Sequence, residues 1–304
     1  MELREPVAWA PGLSVLADTS PAAWIEAALT PTAGSATVAG LVPPVFESYA
    51  RVLPPSYGDE HEDGEPRYRW PEIAAATGVP LTAETRFDDL VAGSDRWGRP
   101  SDGGLDARET TALARVLGEC TETPTEAYFC LWEGFGLEET EAWTGRPMRV
   151  ETPHRAYHLL TGPVAAAPVL PAEVPWRCAS LWWPADRAWL VATDIDGYLT
   201  YVGGSRAAID AVLTAPDLDA VAVQASTPLD PATAEHRPAD EERRRTPSQV
   251  RHRPRRHRRP PTEEHRTWAP SRSTSSPPST GWSTPPRGRW TTASPTTWPP
   301  PSAR

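Results

Sequence analysis

One continuous stretch in the second half of the chain constrains the fold more than any other. Residues 181–213 read LWWPADRAWLVATDIDGYLTYVGGSRAAIDAVL. Residues 188–193 alternate between two mostly apolar faces, which predicts a central β-strand, and the β-branched and aromatic residues at 198–202 predict a second strand. The intervening Asp194-Ile195-Asp196-Gly197 has the length and composition of a hairpin loop in which Gly197 takes a positive φ angle. We therefore expect a β-hairpin whose acidic side chains point into water.

Helices and further strands are predicted on both sides of this hairpin. Gly203 and Gly204 are expected to turn the chain, so that Ser205 caps a helix with one apolar side. Further helices are predicted at residues 22–29, 70–78, 87–91 and 105–117, strands at residues 37–42, 127–132, 148–151, 156–160 and 220–223, and a buried element of undecided type at residues 45–53. Residues 1–17 are predicted to be an irregular lead-in, and Glu109 is expected to face water. These elements predict an α+β fold, a single domain with a mixed or mainly antiparallel sheet and flanking helices.

The composition of the chain changes abruptly at Thr227. Residues 1–226 contain 33 Asp and Glu against 15 Arg, a balance of −18, and residues 227–304 contain 7 against 15, a balance of +8, which together give −10. The first part is predicted to be an acidic globular domain, whose charge disfavours contact with phosphate backbones or anionic lipid. The second part has 16 Pro, one Leu and no Ile, Phe or Tyr. It is predicted to be a disordered tail, because it has too little apolar surface to offset chain entropy.

Two interpretations of the tail remain open. Residues 243–259, RRRTPSQVRHRPRRHRR, could bind phosphates while Trp268, Trp282, Trp290 and Trp298 stack on bases, which would make the tail a nucleic-acid binder. The composition fits GC-rich sequence read out of frame better, and all 30 basic residues of the chain are Arg, as GC-rich codons favour. Nucleic acid is therefore expected as a partner only if the tail is the true reading frame.

The sequence predicts a cytoplasmic protein without a membrane segment. It has no run of about 18 apolar residues that could span a bilayer. The first residues, MELREPVAWAPGL, lack the basic start and apolar run of a secretory signal. Cys120, Cys130 and Cys178 are odd in number, widely spaced and without a CxxC pair, which favours reduced thiols over disulfides or a zinc site.

No cofactor or metal is predicted. Residues 59–65, DEHEDGE, form an acidic run with one His, which a solvated loop explains better than a metal site. His154 and His158 would share one face of a strand, but no third ligand lies near them in the sequence. Surface or hydrogen-bonded histidines are therefore expected there.

Residues 191–197, VATDIDG, resemble the first motif of the haloacid-dehalogenase phosphohydrolases. The resemblance implies that Asp194, at the carboxyl end of a parallel strand, attacks a phosphoryl group and that Asp196 acts as acid and base beside Mg²⁺. The chain departs from this family, because Tyr198 replaces the usual Thr, residues 198–226 leave no room for the later strands, and the chain contains no Lys. A Mg²⁺-dependent phosphohydrolase is therefore the alternative function, and a hairpin turn is the preferred interpretation of this string.

A second resemblance covers most of residues 38–223. Residues 181–213, with LVPPVFESYARVL at 41–53 and FCLWEGFG at 129–136, are similar to a family of proteins from GC-rich actinobacteria with no known activity. The chain departs from that family at Pro54, where its members tend to have His. This resemblance implies kinship without supplying a function.

Aromatic side chains and a charged pair in the central stretch are the candidate binding residues: Trp182, Trp183, Asp186 and Arg187. Exposed tryptophans can form a recognition surface, since large aromatics dominate binding hot spots, whereas buried ones fill the core. The preferred function is a cytosolic, non-enzymatic module that binds a protein partner, with no catalytic residue assigned.

Overall fold

The apolar strands of the central stretch lie side by side in a computed structural model of the chain. The structure describes residues 7–29, 37–57, 67–135, 149–153, 155–170 and 178–229. All of them belong to the first of two units into which the chain divides, Met1–Ser248, and the second unit, Gln249–Arg304, contains no described residue. Within the described ranges, no helix is long and apolar enough to cross a lipid bilayer.

The strands form one large antiparallel sheet and one small hairpin. They are β1 (Val7–Ala10), β2 (Leu13–Val15), β3 (Ser48–Val52), β4 (Ser56–Tyr57), β5 (Arg67–Tyr68), β6 (Ala127–Trp132), β7 (Val150–Glu151), β8 (Ala156–Gly162), β9 (Leu181–Pro184), β10 (Trp189–Thr193), β11 (Thr200–Gly204) and β12 (Ala220–Val223). The large sheet has the order β1-β2-β8-β6-β9-β10-β11-β3-β12, with β7 beside β8, and β4 pairs with β5 separately. All of these pairings are antiparallel.

Helices cover both faces of the large sheet. They are α1 (Ala23–Ala28), α2 (Trp70–Thr77), α3 (Phe87–Leu90), α4 (Ala107–Gly118) and α5 (Arg206–Thr214). α4 and α5 share a buried cluster with Trp182, Trp189 and Val191, whereas α1, α2 and α3 share another with Trp183 and Leu190. Successive strand residues point to opposite faces of the sheet. β9 and β10 have apolar residues on both faces because helices cover both faces. The predicted α+β fold with an antiparallel sheet and flanking helices is confirmed.

The two ends of the strands define two edges of the sheet. At the lower edge, β10 ends at Thr193 and β11 begins at Thr200. At the upper edge, β9 ends at Pro184 and β10 begins at Trp189. α4 runs from the lower to the upper edge, where the Trp189 indole nitrogen donates to the carbonyl oxygen of Leu117 at 2.9 Å.

The predicted hairpin is confirmed. β10 and β11 pair from Thr193 opposite Thr200 to Trp189 opposite Gly204. The positive φ predicted for Gly197 is wrong, because among the described glycines only others take such angles: Gly12, Gly78, Gly93, Gly103 and Gly104. The connection extends over residues 194–199, so the chain reverses without a left-handed residue at that point.

Gly203 and Gly204 do not turn the chain, contrary to the prediction, but form the end of β11. Close packing explains the glycine at 203, since a Cβ atom there would lie 2.5 Å from a ring carbon of Phe46. Ser205 caps α5 as predicted, because its hydroxyl oxygen accepts a hydrogen bond from the Ala208 amide at 3.2 Å.

Two further predictions about strands are wrong. The predicted irregular lead-in contains β1 and β2, whose Leu13 and Val15 are buried; runs this short show no clear period in a sequence. The predicted strand at residues 37–42 is instead a short 3-10 turn, Val38–Gly40. The Val38 amide donates to the carbonyl oxygen of Thr227 at 3.0 Å, so the turn is held by the chain that follows β12.

Glu109 does not face water, contrary to the prediction. It is 2% exposed and forms an ion pair with Arg67 of β5. A carboxylate is buried only when a cation accompanies it, and the sequence around α4 contained no sign of this distant arginine.

The packed part of the chain continues past the predicted boundary at Thr227. Pro228 pairs with Thr37, and Leu229 is buried in the cluster around α1, α2 and α3. Residues 230–304 lie outside the described residues, so the disorder predicted for the tail stays a prediction.

Candidate functional site

The two acids of the hairpin loop are held at the lower edge by an arginine. Asp194 is 3% exposed, and its Oδ1 accepts from an Arg155 Nη2 at 2.9 Å. The same guanidinium contacts the Asp196 carboxylate, and the Asp196 amide donates to Asp194 Oδ1 at 3.1 Å. The expectation that the acids point into water is therefore wrong for Asp194, which is buried beside a cation that precedes another strand, whereas the Asp196 side chain contacts the same cation and stays 34% exposed.

The order of the strands explains why Arg155 is there. It directly precedes β8, and β8 begins at the same edge at which β10 ends. Its guanidinium carbon also lies 5.6 Å from the ring centroid of Trp132, at the end of β6. Burial alone would lower the pKa of Arg155, but Asp194 and Asp196 raise it above its usual value. The arginine therefore stays charged and braces the loop.

This arrangement differs from the one that the phosphohydrolase resemblance implies. β10 is antiparallel to both of its neighbours, β9 and β11, so Asp194 does not follow a parallel strand. The guanidinium of Arg155 contacts both carboxylates that the resemblance assigns to catalysis. Among the described residues, no group of three or more His, Cys, Asp or Glu side chains could hold a metal ion.

The structure describes one of the two histidines considered as metal ligands in the sequence analysis. His158 lies in β8 and is 3% exposed. His154 and the acidic run at residues 59–65 lie outside the described residues. The proposed pairing of the two imidazoles on one face is therefore neither confirmed nor contradicted.

The two tryptophans named as binding candidates are buried. Trp182 is 4% exposed and Trp183 is 0% exposed, so neither forms an exposed recognition surface. Trp182 faces the α4 side, where its ring centroid lies 5.1 Å from that of Trp189. Trp183 faces the α1 side and packs edge-to-face under Trp24 at 6.1 Å. The strand alternation separates neighbours that the sequence presents as a pair.

Asp186 and Arg187, the other two candidates, are exposed in the turn between β9 and β10 at the upper edge. Asp186 fixes this turn, since its carboxylate accepts from the Ala188 amide at 3.1 Å and from the Thr121 hydroxyl and Glu122 amide at 2.7 Å each. Burial by itself would raise the pKa of Asp186, but these hydrogen bonds together hold it below its usual value.

Arg187 has a backbone φ of 58°, in the left-handed region that favours glycine. Its amide donates to the Pro184 carbonyl oxygen at 2.9 Å, which closes the turn. Its guanidinium carbon lies 5.5 Å from the ring centroid of Trp24 in α1. The turn therefore places a cation on the outer face of an aromatic ring.

Several partly exposed apolar groups continue from this ring across the upper edge. The Trp24 ring lies 6.2 Å from that of Phe46, edge-to-face, and the neighbouring Val45 is 64% exposed. Tyr128 covers Trp183 at a centroid distance of 5.8 Å. We call this surface the tryptophan–arginine patch and define it by Trp24, Val45, Phe46, Tyr128 and Arg187.

Sequence reasoning assigned only Arg187 of this patch. Trp24 lies within the helix predicted at residues 22–29, and the buried residues Ile25 and Leu29 mark the stripe beside it. The contact between Trp24 and Arg187 joins residues far apart in the chain, so no local pattern could have revealed it.

Comparison of the chain with protein-family models, with curated proteins and with solved structures finds no match.

Proposed function

We propose that this chain is a non-enzymatic, cytoplasmic module that binds a protein partner through the tryptophan–arginine patch. The observation that carries the proposal is the conformation of Arg187, an exposed arginine with a φ of 58° whose guanidinium lies over Trp24. The carboxylates of Asp194 and Asp196, which the enzymatic alternative needs, are already engaged by Arg155.

The backbone at position 187 favours glycine, yet an arginine is present. A residue with a Cβ atom in the left-handed region costs about 1–2 kcal/mol relative to its ordinary conformation, and glycine adopts that region without this cost. The cation–π contact with Trp24, at an exposed site, stabilises the fold by only about 0.5–1 kcal/mol. The arginine therefore gains little or no stability over a glycine at this position, which supports a role in recognition.

The composition of the patch supports the same conclusion. Trp, Tyr and Arg are the residue types enriched in binding hot spots, and the patch contains one of each: Trp24, Tyr128 and Arg187. Val45, 64% exposed, is the most exposed large apolar side chain among the described residues. An apolar side chain beside a rigid aromatic cluster is suited to the centre of an interface.

The surrounding charge indicates the chemistry of the partner. Glu47, Glu122, Glu126 and Asp186 are exposed around the patch, and residues 1–226 carry a balance of −18, from 33 acids and 15 Arg. A partner that presents an apolar side chain within a basic rim would match the patch in charge. We therefore propose a basic protein surface as the partner.

The cytoplasmic part of the proposal rests on the cysteines. Cys120, Cys130 and Cys178 are free thiols, as expected in a reducing compartment. Burial raises the pKa of Cys178 to about 11, which keeps this thiol protonated and unreactive.

The test uses the full chain with a photo-crosslinking amino acid at position 45, on the patch. A matched control carries the same group at position 111, where Thr111 is exposed on α4 across the sheet. We expect an adduct at 45 that is absent at 111. The purified adduct partner should then bind Arg187→Gly at least about 30-fold more weakly than the unmodified chain, the effect of losing a hot-spot residue. Equal affinity for the two, or equal labelling at both positions, would refute the proposal.

A further inference from the structure

A second polar site lies at the lower edge, at the opposite end of the strands from the tryptophan–arginine patch. It is a pocket of about 140 Å³, whose lining residues come from the end of β3, from β5, from the start of α4 and from the segment before β12. Three arginines line it, Arg67 and Arg69 from β5 and the residue after it, and Arg108 from the start of α4. We call it the arginine pocket.

Two of these arginines are fixed by carboxylates. Arg67 pairs with Glu109, whose side chain is 3% exposed. An Arg69 Nη2 donates to Asp219 Oδ1 at 2.5 Å and to the Leu218 carbonyl oxygen at 3.0 Å. Each guanidinium has five N–H donors, so these pairs orient the arginines without using all of their donors.

Arg108 is the third arginine of the pocket. It is exposed, and within the described ranges it forms no ion pair. The third lining acid, Asp217, is paired with Arg115 at 3.4 Å. Each carboxylate that lines the pocket therefore has an arginine partner, and for Asp217 that partner, Arg115, lies outside the lining. Arg108 is the lining arginine that forms no ion pair among the described residues.

The backbone amides at the start of α4 do not contribute to this site. Asp106 caps them, since its Oδ1 accepts from the amides of Arg108 and Glu109 at 2.9 and 3.1 Å. Its Oδ2 accepts from the Tyr57 hydroxyl at 2.7 Å. The donors available to a ligand are thus guanidinium groups, which favour oxyanions with several acceptor oxygens.

We propose that the arginine pocket binds a phosphate group, either free or on a small molecule. A volume of about 140 Å³ is smaller than the roughly 300–1,000 Å³ of sites that enclose drug-sized ligands, so the pocket accommodates one charged group rather than a whole cofactor. Phosphate offers enough oxygens to accept from Arg108 and from the spare donors of Arg67 and Arg69, whereas a carboxylate offers two.

The experiment is a calorimetric titration of the full chain with inorganic phosphate at constant ionic strength, with acetate as the competing oxyanion. We expect saturable phosphate binding that is about tenfold weaker in Arg108→Gln, as for the loss of one charge-assisted hydrogen bond. Arg206→Gln is the matched control, because Arg206 is an exposed arginine that begins α5 at the upper edge. Circular dichroism checks that both variants remain folded.

Three results would overturn the assignment: no saturation by phosphate, equal binding of acetate and phosphate, or equal weakening in Arg108→Gln and Arg206→Gln. The last would indicate a general effect of net charge on anion binding. None of these results bears on the protein-partner proposal, since the patch and the pocket share no residue.

Discussion

Two arginines of this chain lie at nearly the same distance from a tryptophan ring but have different surroundings. The guanidinium carbon of Arg155 lies 5.6 Å from the ring of Trp132, and that of Arg187 lies 5.5 Å from the ring of Trp24. The side chain of Arg155 is only 15% exposed and contacts Asp194 and Asp196. Arg187 is exposed and has no ion pair within the part of the chain that the structure describes.

Burial accounts for the difference. A desolvated cation needs fixed carboxylates around it, and their mutual attraction then holds the surrounding elements together. An exposed cation keeps its hydration and can exchange water for a partner. The Arg155 cluster is therefore a brace between β8 and the hairpin loop, whereas Arg187 is available for binding.

The largest effect is expected when the buried arginine is removed. Arg155→Met removes the guanidinium that contacts Asp194, a carboxylate whose side chain is only 2% exposed, so we expect a loss of about 3–5 kcal/mol in the free energy of unfolding. Chemical denaturation followed by tryptophan fluorescence measures it. Arg187→Met is the control and should cost less than about 1 kcal/mol. Similar losses in the two variants would contradict the distinction between brace and surface.

A smaller effect is expected from adding a methyl group at Gly203, which packs closely against Phe46 beneath the patch. In Gly203→Ala, the new methyl group would lie 2.5 Å from Phe46 and 2.7 Å from Val42, which should cost about 1–3 kcal/mol through overpacking. Gly204→Ala is the control, since its nearest contact would be 3.3 Å from Trp189 Cβ. Denaturation of both variants tests this, and a greater loss at 204 than at 203 would show that Phe46 moves easily.

The turn that carries Arg187 should weaken in acid. The pKa of Asp186 is lowered in the folded chain, so the folded state binds fewer protons than the unfolded state. Its contribution is therefore present above the ordinary aspartate pKa and is lost as the pH falls through the lower, folded value. Because Asp186 is exposed, we expect Asp186→Asn to be less stable by no more than about 1 kcal/mol at pH 7. The difference should disappear as the pH falls below the folded pKa of Asp186. A constant difference across this range would rule out Asp186 as the source.

The smallest effect on stability is expected for Arg187→Gly. Relief of the left-handed conformation stabilises the fold, while loss of the contact with Trp24 and the added freedom of glycine when unfolded destabilise it. These terms offset each other, so the free energy of unfolding should change by less than about 1 kcal/mol. Calorimetric unfolding measures it, and a loss above about 3 kcal/mol, the cost of breaking a buried ion pair, would mean that this arginine also acts as a brace.

The elements that could be predicted are those with a local cause. The alternation of residues 188–193 predicted a strand, and the capping residue Ser205 predicted the start of a helix; both are confirmed. The elements that were missed are short or depend on distant contacts. Gly203 resembles a turn residue in the sequence but is required in β11 by the ring of Phe46.

The candidate site was less predictable than the fold. Asp194, Asp196 and Arg187 were identified, but the environment of each depends on residues elsewhere in the chain. Arg155 lies 39 positions before Asp194, and only the order of the strands brings the start of β8 beside the end of β10. The burial of Asp194 and the pairing of both acids with Arg155 could therefore not be inferred from their neighbours in sequence.

The sequence by itself determined that the central stretch is a β-hairpin followed by a capped helix, because periodicity and capping act over a few residues. Only the tertiary structure decided which side chains are buried and which charges meet. Trp182 and Trp183 are adjacent in the chain but lie in separate cores. Desolvation and ion pairing depend on what packs around a group, and antiparallel strand order brings together residues that the chain keeps far apart.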